Sequence, residues 1–170
     1  MSNPIEVLYQ EHVIIKKAIE SVKELKELID INPDEYKEEM KRYISFFRKY
    51  ADGFHHYKEE QILFPEMSKK NEFLAEGVIK EMFDNHSDFR EILGNIESSV
   101  DAGEYKNAHN EFEKYAEALL DHIAVEDDEV FQMAESIFDD SEIEKIYFRF
   151  MDCDKDLGTS DKQKMEAMVN

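Results

Sequence analysis

The stretch Phe54-His55-His56-Tyr57-Lys58-Glu59-Glu60-Gln61-Ile62-Leu63-Phe64 constrains this chain most, because it sets a histidine and a glutamate one helical turn apart twice over. Residues four apart share a helix face, so His55 can act with Glu59, or His56 with Glu60, on a single target. Neutral imidazole nitrogen together with carboxylate oxygen is a ligand set for iron, manganese or zinc. Winding at about 100° per residue from Phe47 gathers Ile44, Phe47, Ala51, Phe54 and Ile62 on one apolar side. His55 and Glu59 then fall at the edge of that side, whereas His56 and Glu60 turn away from it. The first pair is therefore expected to face inward. The second could do so only if the helix were interrupted, and Gly53 is the sole local residue that invites this.

The rest of the chain repeats the theme. Asn3-Pro4 with Glu6 caps and opens a helix whose apolar stripe runs Ile5, Leu8, His12, Ile15, Ile19 and Val22. Asn32-Pro33 starts the second helix, which passes through Tyr43, Phe47, Tyr50 and Phe54 and is expected to kink or end near Pro65. A third carries Ile79, Met82, His86, Phe89, Leu93 and Ile96, with Arg90 close enough to the stripe to reach the same interior or to extend outward. After the Asp101-Ala102-Gly103 turn, a fourth carries Tyr105, Ala108, Phe112, Tyr115, Leu119, His122, Glu126, Val130, Met133 and Ile137.

Ser141 with Glu144 has the spacing of a capping box for a shorter fifth helix over one side or end of the bundle. The run Asp152-Cys153-Asp154-Lys155-Asp156-Leu157-Gly158 has the look of a calcium loop, but its glycine comes one place late and Gln163 stands at the twelfth position. It is expected to be an acidic loop.

Few glycines and prolines (five and three) disfavour a turn-rich β fold, and 170 residues suffice for one domain, so residues 1–170 are read as an all-α unit. Its up-down-up-down four-helix bundle is expected over about 4–138, with a C-terminal helix and tail over 141–170. A formal charge of −20 repels phosphate backbones and anionic lipid, so nucleic acid and membrane are not expected partners. One cysteine, Cys153, excludes a disulfide framework and a cysteine-ligated zinc cluster. The start has no basic region followed by an apolar one, and the expectation is a cytoplasmic protein.

A lone histidine on an apolar stripe is ordinarily a hydrogen-bonded core residue. Four of them on four different helices, two with a glutamate one turn on, are another matter. An unpaired buried carboxylate costs several kcal/mol or takes up a proton, so six polar groups converging in one core call for cations. The metal-site candidates are His12, His55, Glu59, His86, His122 and Glu126, with Asp127 the neighbouring alternative to Glu126. His56 and His109 are expected at the surface or behind the ligands, and Tyr50, Tyr57 and Tyr115 as core residues or hydrogen-bond donors near the cavity.

At these residues the chain resembles the hemerythrin-like, or HHE cation-binding, family of four-helix proteins over roughly residues 5–138. The matching features are His12, the HxxxE of His55 to Glu59 running into Glu59-Glu60-Gln61-Ile62-Leu63-Phe64-Pro65, His86, and the HxxxE of His122 to Glu126. The run starting at Lys58 is most similar to the iron-centre repair branch, whose ligands are four histidines and two glutamates. Oxygen-carrying members have a second third-helix histidine, where Arg90 stands here, and a last-helix His-to-Asp spacing of five, which Asp127 keeps. The resemblance implies two non-haem iron ions bridged by Glu59, Glu126 and an oxo or hydroxo group, with His12, His55, His86 and His122 as terminal ligands. It further implies a small-molecule partner, O2, peroxide or NO, or else iron storage and donation. The alternative from the residues alone is a metal-free structural or interaction bundle with neutral core histidines.

Overall fold

The computed structural model describes residues 2–170; Met1 lies outside them. The first long helix is Pro4–Glu24, prolonged by shorter turns to Ile31, and Asn3 caps it by accepting a hydrogen bond from the Ile5 amide. The second is continuous over residues 33–70: α-helical over Pro33–Phe46, π-helical over Phe47–His56 and Glu59–Leu63, then α-helical again over Phe64–Lys70. Pro65 neither ends nor breaks it. A one-turn helix, Glu72–Glu76, leads to the third long helix, Val78–Asp101. The fourth spans residues 105–137, with a π-helical turn at Glu126–Val130.

These four rods form the expected bundle, the first and third each packing against both the second and the fourth. Its interior is not one continuous hydrocarbon core. An apolar cluster around Ile15, Ile19, Tyr43, Phe47, Phe89, Phe112 and Leu119 fills one half, and a second around Leu8, Leu63, Met67, Met82, Val130 and Phe131 fills the other. On every rod the residues between the two clusters are the polar ones of the apolar stripe: His12, then His55 to Glu59, then His86, then His122 and Glu126. The rods therefore bring one buried polar layer to a single height in the bundle.

The C-terminal region corrects the sequence-based expectation twice. The capping box belongs to Asp139 and Glu142, not to Ser141 and Glu144, and it opens an 18-residue helix, Asp140–Leu157. That helix absorbs the run expected to be an acidic loop, because Asp154 is buried and ion-paired there rather than solvated. Gly158, at φ 113°, turns the chain into a further helix, Thr159–Val169. Both pack on the first and second rods. No helix among the described residues is long and apolar enough to cross a membrane.

A β-carbon at Gly158 would be strained by its φ and would lie 3.2 Å from an Asp161 carboxylate oxygen. Gly158→Ala is expected to lower stability by about 1–3 kcal/mol, read from a urea or thermal unfolding curve.

Candidate metal centre

The two rods that carry the paired His and Glu are also the two that contain π-helical turns. In a π turn the amide bonds to the carbonyl five residues back, so each residue advances less around the axis than in an α-helix, and such turns concentrate at functional sites. The sequence-based winding assumed an α-helix throughout. With the π turns of the second rod in place, His55, His56 and Glu59 are all buried. His56 was expected to point away; it faces the interior instead, its ring stacked at 3.7 Å between centroids on His86. Glu60 does not come in with it, and the break at Gly53 is a change of winding rather than an end to the helix.

Two overlapping groups result. His12, His55, Glu59 and Glu126 offer ligand atoms within 4.8 Å of one another, and so do His56, Glu59, His86 and His122. All six candidates from the sequence meet at this centre, and His56 joins them. The two carboxylates sit across the division. Glu126 Oε1 lies 3.2 Å from His12 Nε2 and 3.1 Å from His122 Nε2, while Glu59 Oε1 lies 3.6 Å from His55 Nε2 and 3.4 Å from His86 Nε2. Each glutamate thus reaches one imidazole of each group.

Every ring is fixed from behind. The Nδ1–H groups of His12, His55, His56, His86 and His122 donate to Asp127, Glu11, Asp52, Glu60 and Asn85 respectively, at 2.6, 3.0, 3.2, 3.0 and 2.9 Å. A neutral imidazole that donates from Nδ1 presents its Nε2 lone pair, which sets the tautomer and the aim of a metal-binding histidine. Asp127, the alternative to Glu126, is one of these rear acceptors. Arg90 spans Asp52 and Glu60, so the residue that stands where oxygen carriers have a histidine clasps the supports of His56 and His86 together.

Burial pushes the His55, His56 and His86 imidazoles down to about 3, with neighbouring imidazoles adding to it, so these rings are neutral at pH 7. Burial also opposes charge on His12, but Asp127 and Glu126 outweigh it and hold the ring up at about 9. Burial and the adjacent Glu126 charge raise the Glu59 carboxyl well above its usual range. Without a cation, the centre therefore keeps a proton on His12 at pH 7 and favours the neutral form of Glu59.

The donor set fits a cation on a direct structural ground. His55 Nε2 and all four carboxylate oxygens of Glu59 and Glu126 are buried with no aligned hydrogen-bond partner in the protein. Facing nitrogens of His86 and His122 stand 3.2 Å apart. Buried polar atoms are almost always satisfied, and this many exceptions in one place are met by positive charge placed among them.

Sequence reading missed Glu11, Asp52, Asn85 and the inward turn of His56. The clue for the acceptors was their position one turn before a candidate or on the facing rod; for His56 it was only its place in a His-His pair. His109 is buried too, bonded to the Tyr36 hydroxyl in the apolar half of the bundle away from the centre. Of the tyrosines, Tyr50 donates to Glu166, Tyr57 is exposed, and Tyr115 lines a cavity of about 260 Å³ with His56, Asp52, Phe89 and Arg90.

Compared with known proteins, the sequence matches one family description, Hemerythrin HHE cation binding domain, over residues 3–134. No curated protein and no solved structure matches it.

The proton balance of the metal-free centre has a sign. Below pH 6.5 the unfolded chain protonates His55, His56 and His86, which the folded chain keeps neutral, while from pH 6.5 up to about 9 the folded chain alone keeps a proton on His12. Metal-free protein is expected to be most stable near pH 6.5, losing stability as pH falls toward 4.5, because the unfolded histidines take up protons that the buried rings refuse, and also as pH rises toward 9, because only the folded chain holds the His12 proton there, measured by urea unfolding across that range.

Proposed function

This chain belongs to the hemerythrin HHE cation-binding family, and on that premise we propose that it holds two iron ions in the buried layer and uses them to bind or react with O2, peroxide or NO. His12 and His55 serve one ion, His56, His86 and His122 the other, and Glu59 and Glu126 are shared. The observation that carries this reading is the set of unpartnered Glu59 and Glu126 oxygens at the meeting point of five imidazoles whose opposite nitrogens are all engaged. Such a pair of ions supplies redox chemistry and coordination positions for a small ligand. The protein's part is to aim the nitrogens, keep three imidazoles neutral and exclude bulk water from the layer.

The subsites are unequal. With two imidazoles on the His12–His55 side and three on the other, an ion held on the former would receive fewer protein donors and could accept an exogenous ligand there. The ligand set also departs from the four histidines and two glutamates of the iron-centre repair branch, since His56 makes a fifth imidazole.

The metal-free structural bundle remains the competing reading, and chelation separates the two. Protein made in iron-replete cells is expected to carry about two irons per chain, with charge-transfer absorption that changes on adding azide or peroxide. Removing the metal is expected to cost about 4 kcal/mol or more of stability for ions present at a thousandfold above their dissociation constants. Iron-free protein, or thermal stability indifferent to chelators, would end the proposal. His56→Ala is expected to reduce bound iron toward one per chain, assayed by metal analysis of the purified variant. Unchanged iron content would return His56 to the role of a bystander.

A further inference from the structure

Residues 139–170 lie beyond the family match, yet they enter the polar layer's support through a buried ion cluster. Lys58, fully buried on the second rod, donates to Glu11 of the first rod and, at 2.6 Å, to Asp154 of the C-terminal helix. Lys162, on the last helix, lies 2.8 Å from Glu11 and 2.9 Å from the other Asp154 oxygen. Two carboxylates and two ammonium groups thus alternate around a closed ring of contacts, and their charges cancel. Glu11 directs Oε2 to the lysines and leaves Oε1 to accept from His55 Nδ1 at 3.0 Å. Tyr50, also fully buried, adds a parallel tie by donating to Glu166 at 2.8 Å.

We propose that the two C-terminal helices are working parts of the metal centre: Asp154 and Lys162 are positioning residues that hold Glu11, and Glu11 holds His55 to its subsite. This rests on the two-ion reading above. The physical reason is geometric. A free glutamate carboxylate rotates about its last bond, whereas one whose Oε2 is claimed by two lysines must point Oε1 one way. His55 has no other rear acceptor, so its tautomer and aim follow from that single oxygen. Asp154 is needed because a buried Lys58 with one partner, or a buried Glu11 crowded by two ammonium groups without it, would draw in water or reorient. The effect is one-sided: His56, His86 and His122 lean on Asp52, Glu60 and Asn85, which do not touch the cluster.

The test uses the full chain with Asp154→Asn and, separately, Lys162→Gln, titrated anaerobically with ferrous iron from the metal-free state. Both variants are expected to take the first equivalent normally and the second about 10- to 100-fold more weakly, the usual cost of losing a support behind a ligand. Glu60→Gln, which loosens His86 instead, is the contrasting control, and Asp154→Glu should restore the second equivalent. A metal-free readout runs beside it. The imidazole ¹⁵N spectrum of the wild-type apo protein should show His55 protonated at Nδ1 and protected from exchange, and Asp154→Asn should lose that protection while the His86 signal persists. Folded variants that take both equivalents at wild-type affinity and retain the His55 signal would overturn the proposal. If Asp154→Asn does not fold, Lys162→Gln, at the rim of the cluster, decides the same question. A wild type that takes no iron would defeat the two-ion reading, while the His55 signal would still decide whether the C-terminal helices position that ring.

Discussion

Two buried carboxylates without an aligned hydrogen-bond partner in the protein set the terms for this structure. Glu59 and Glu126 are fully buried and close to each other, Glu59 facing the neutral imidazoles of His55 and His86 and Glu126 facing His12 and His122. An uncompensated buried charge costs several kcal/mol, a large share of the 5–15 kcal/mol by which a domain is ordinarily stable. The two apolar clusters on either side must therefore hold the rods together across a layer that opposes folding until positive charge occupies it. Protons on His12 and Glu59 can do this in part, and a cation does it better because one ion meets several donors at once.

From that layer the polar structure extends outward in a consistent way. Five imidazoles need five rear acceptors, and four of the five are carboxylates: Asp127, Glu11, Asp52 and Glu60. Those carboxylates in turn need cations, which Arg90 supplies to Asp52 and Glu60 and Lys58 and Lys162 to Glu11. Burial alone would raise Glu11, yet the two lysines and His55 hold it well below the usual carboxylate range, so the acceptor stays charged. The negative excess of the chain is thus not wholly a solvated surface. Part of it is the support for the centre.

The four rods were legible because an apolar stripe at three-four spacing is a direct record of which side of a helix is buried, and the histidines stood in those stripes. The same rule misplaced His56, since it converts spacing to angle through an assumed winding, and the second rod winds differently from Phe47 onward. Nothing in the residue types between 47 and 63 distinguishes a π turn from an α turn; the choice is made by what the buried groups gain from converging. The C-terminal helices were under-read for a related reason. Asp154 looks like a loop residue until Lys58 and Lys162, from two other helices, are seen to neutralise it. Local pattern reports propensity, whereas the partner of a buried charge lies elsewhere in the chain.

The altered winding also explains how one short segment can serve both halves of the centre. Adjacent residues on an α-helix diverge by about 100°, too far for both to meet a common interior target. In the π-helical stretch His55 joins the group of His12 and Glu126, its neighbour His56 joins that of His86 and His122, and Glu59 belongs to both. A single turn of the second rod therefore contributes to both groups, and the other three rods complete them. π turns are uncommon because they forgo good α-helical bonding, and they persist where surrounding contacts require them. Here the contacts that hold the stretch come from the facing rods: the His86 ring stacks on His56, and the Glu11 carboxylate accepts from His55.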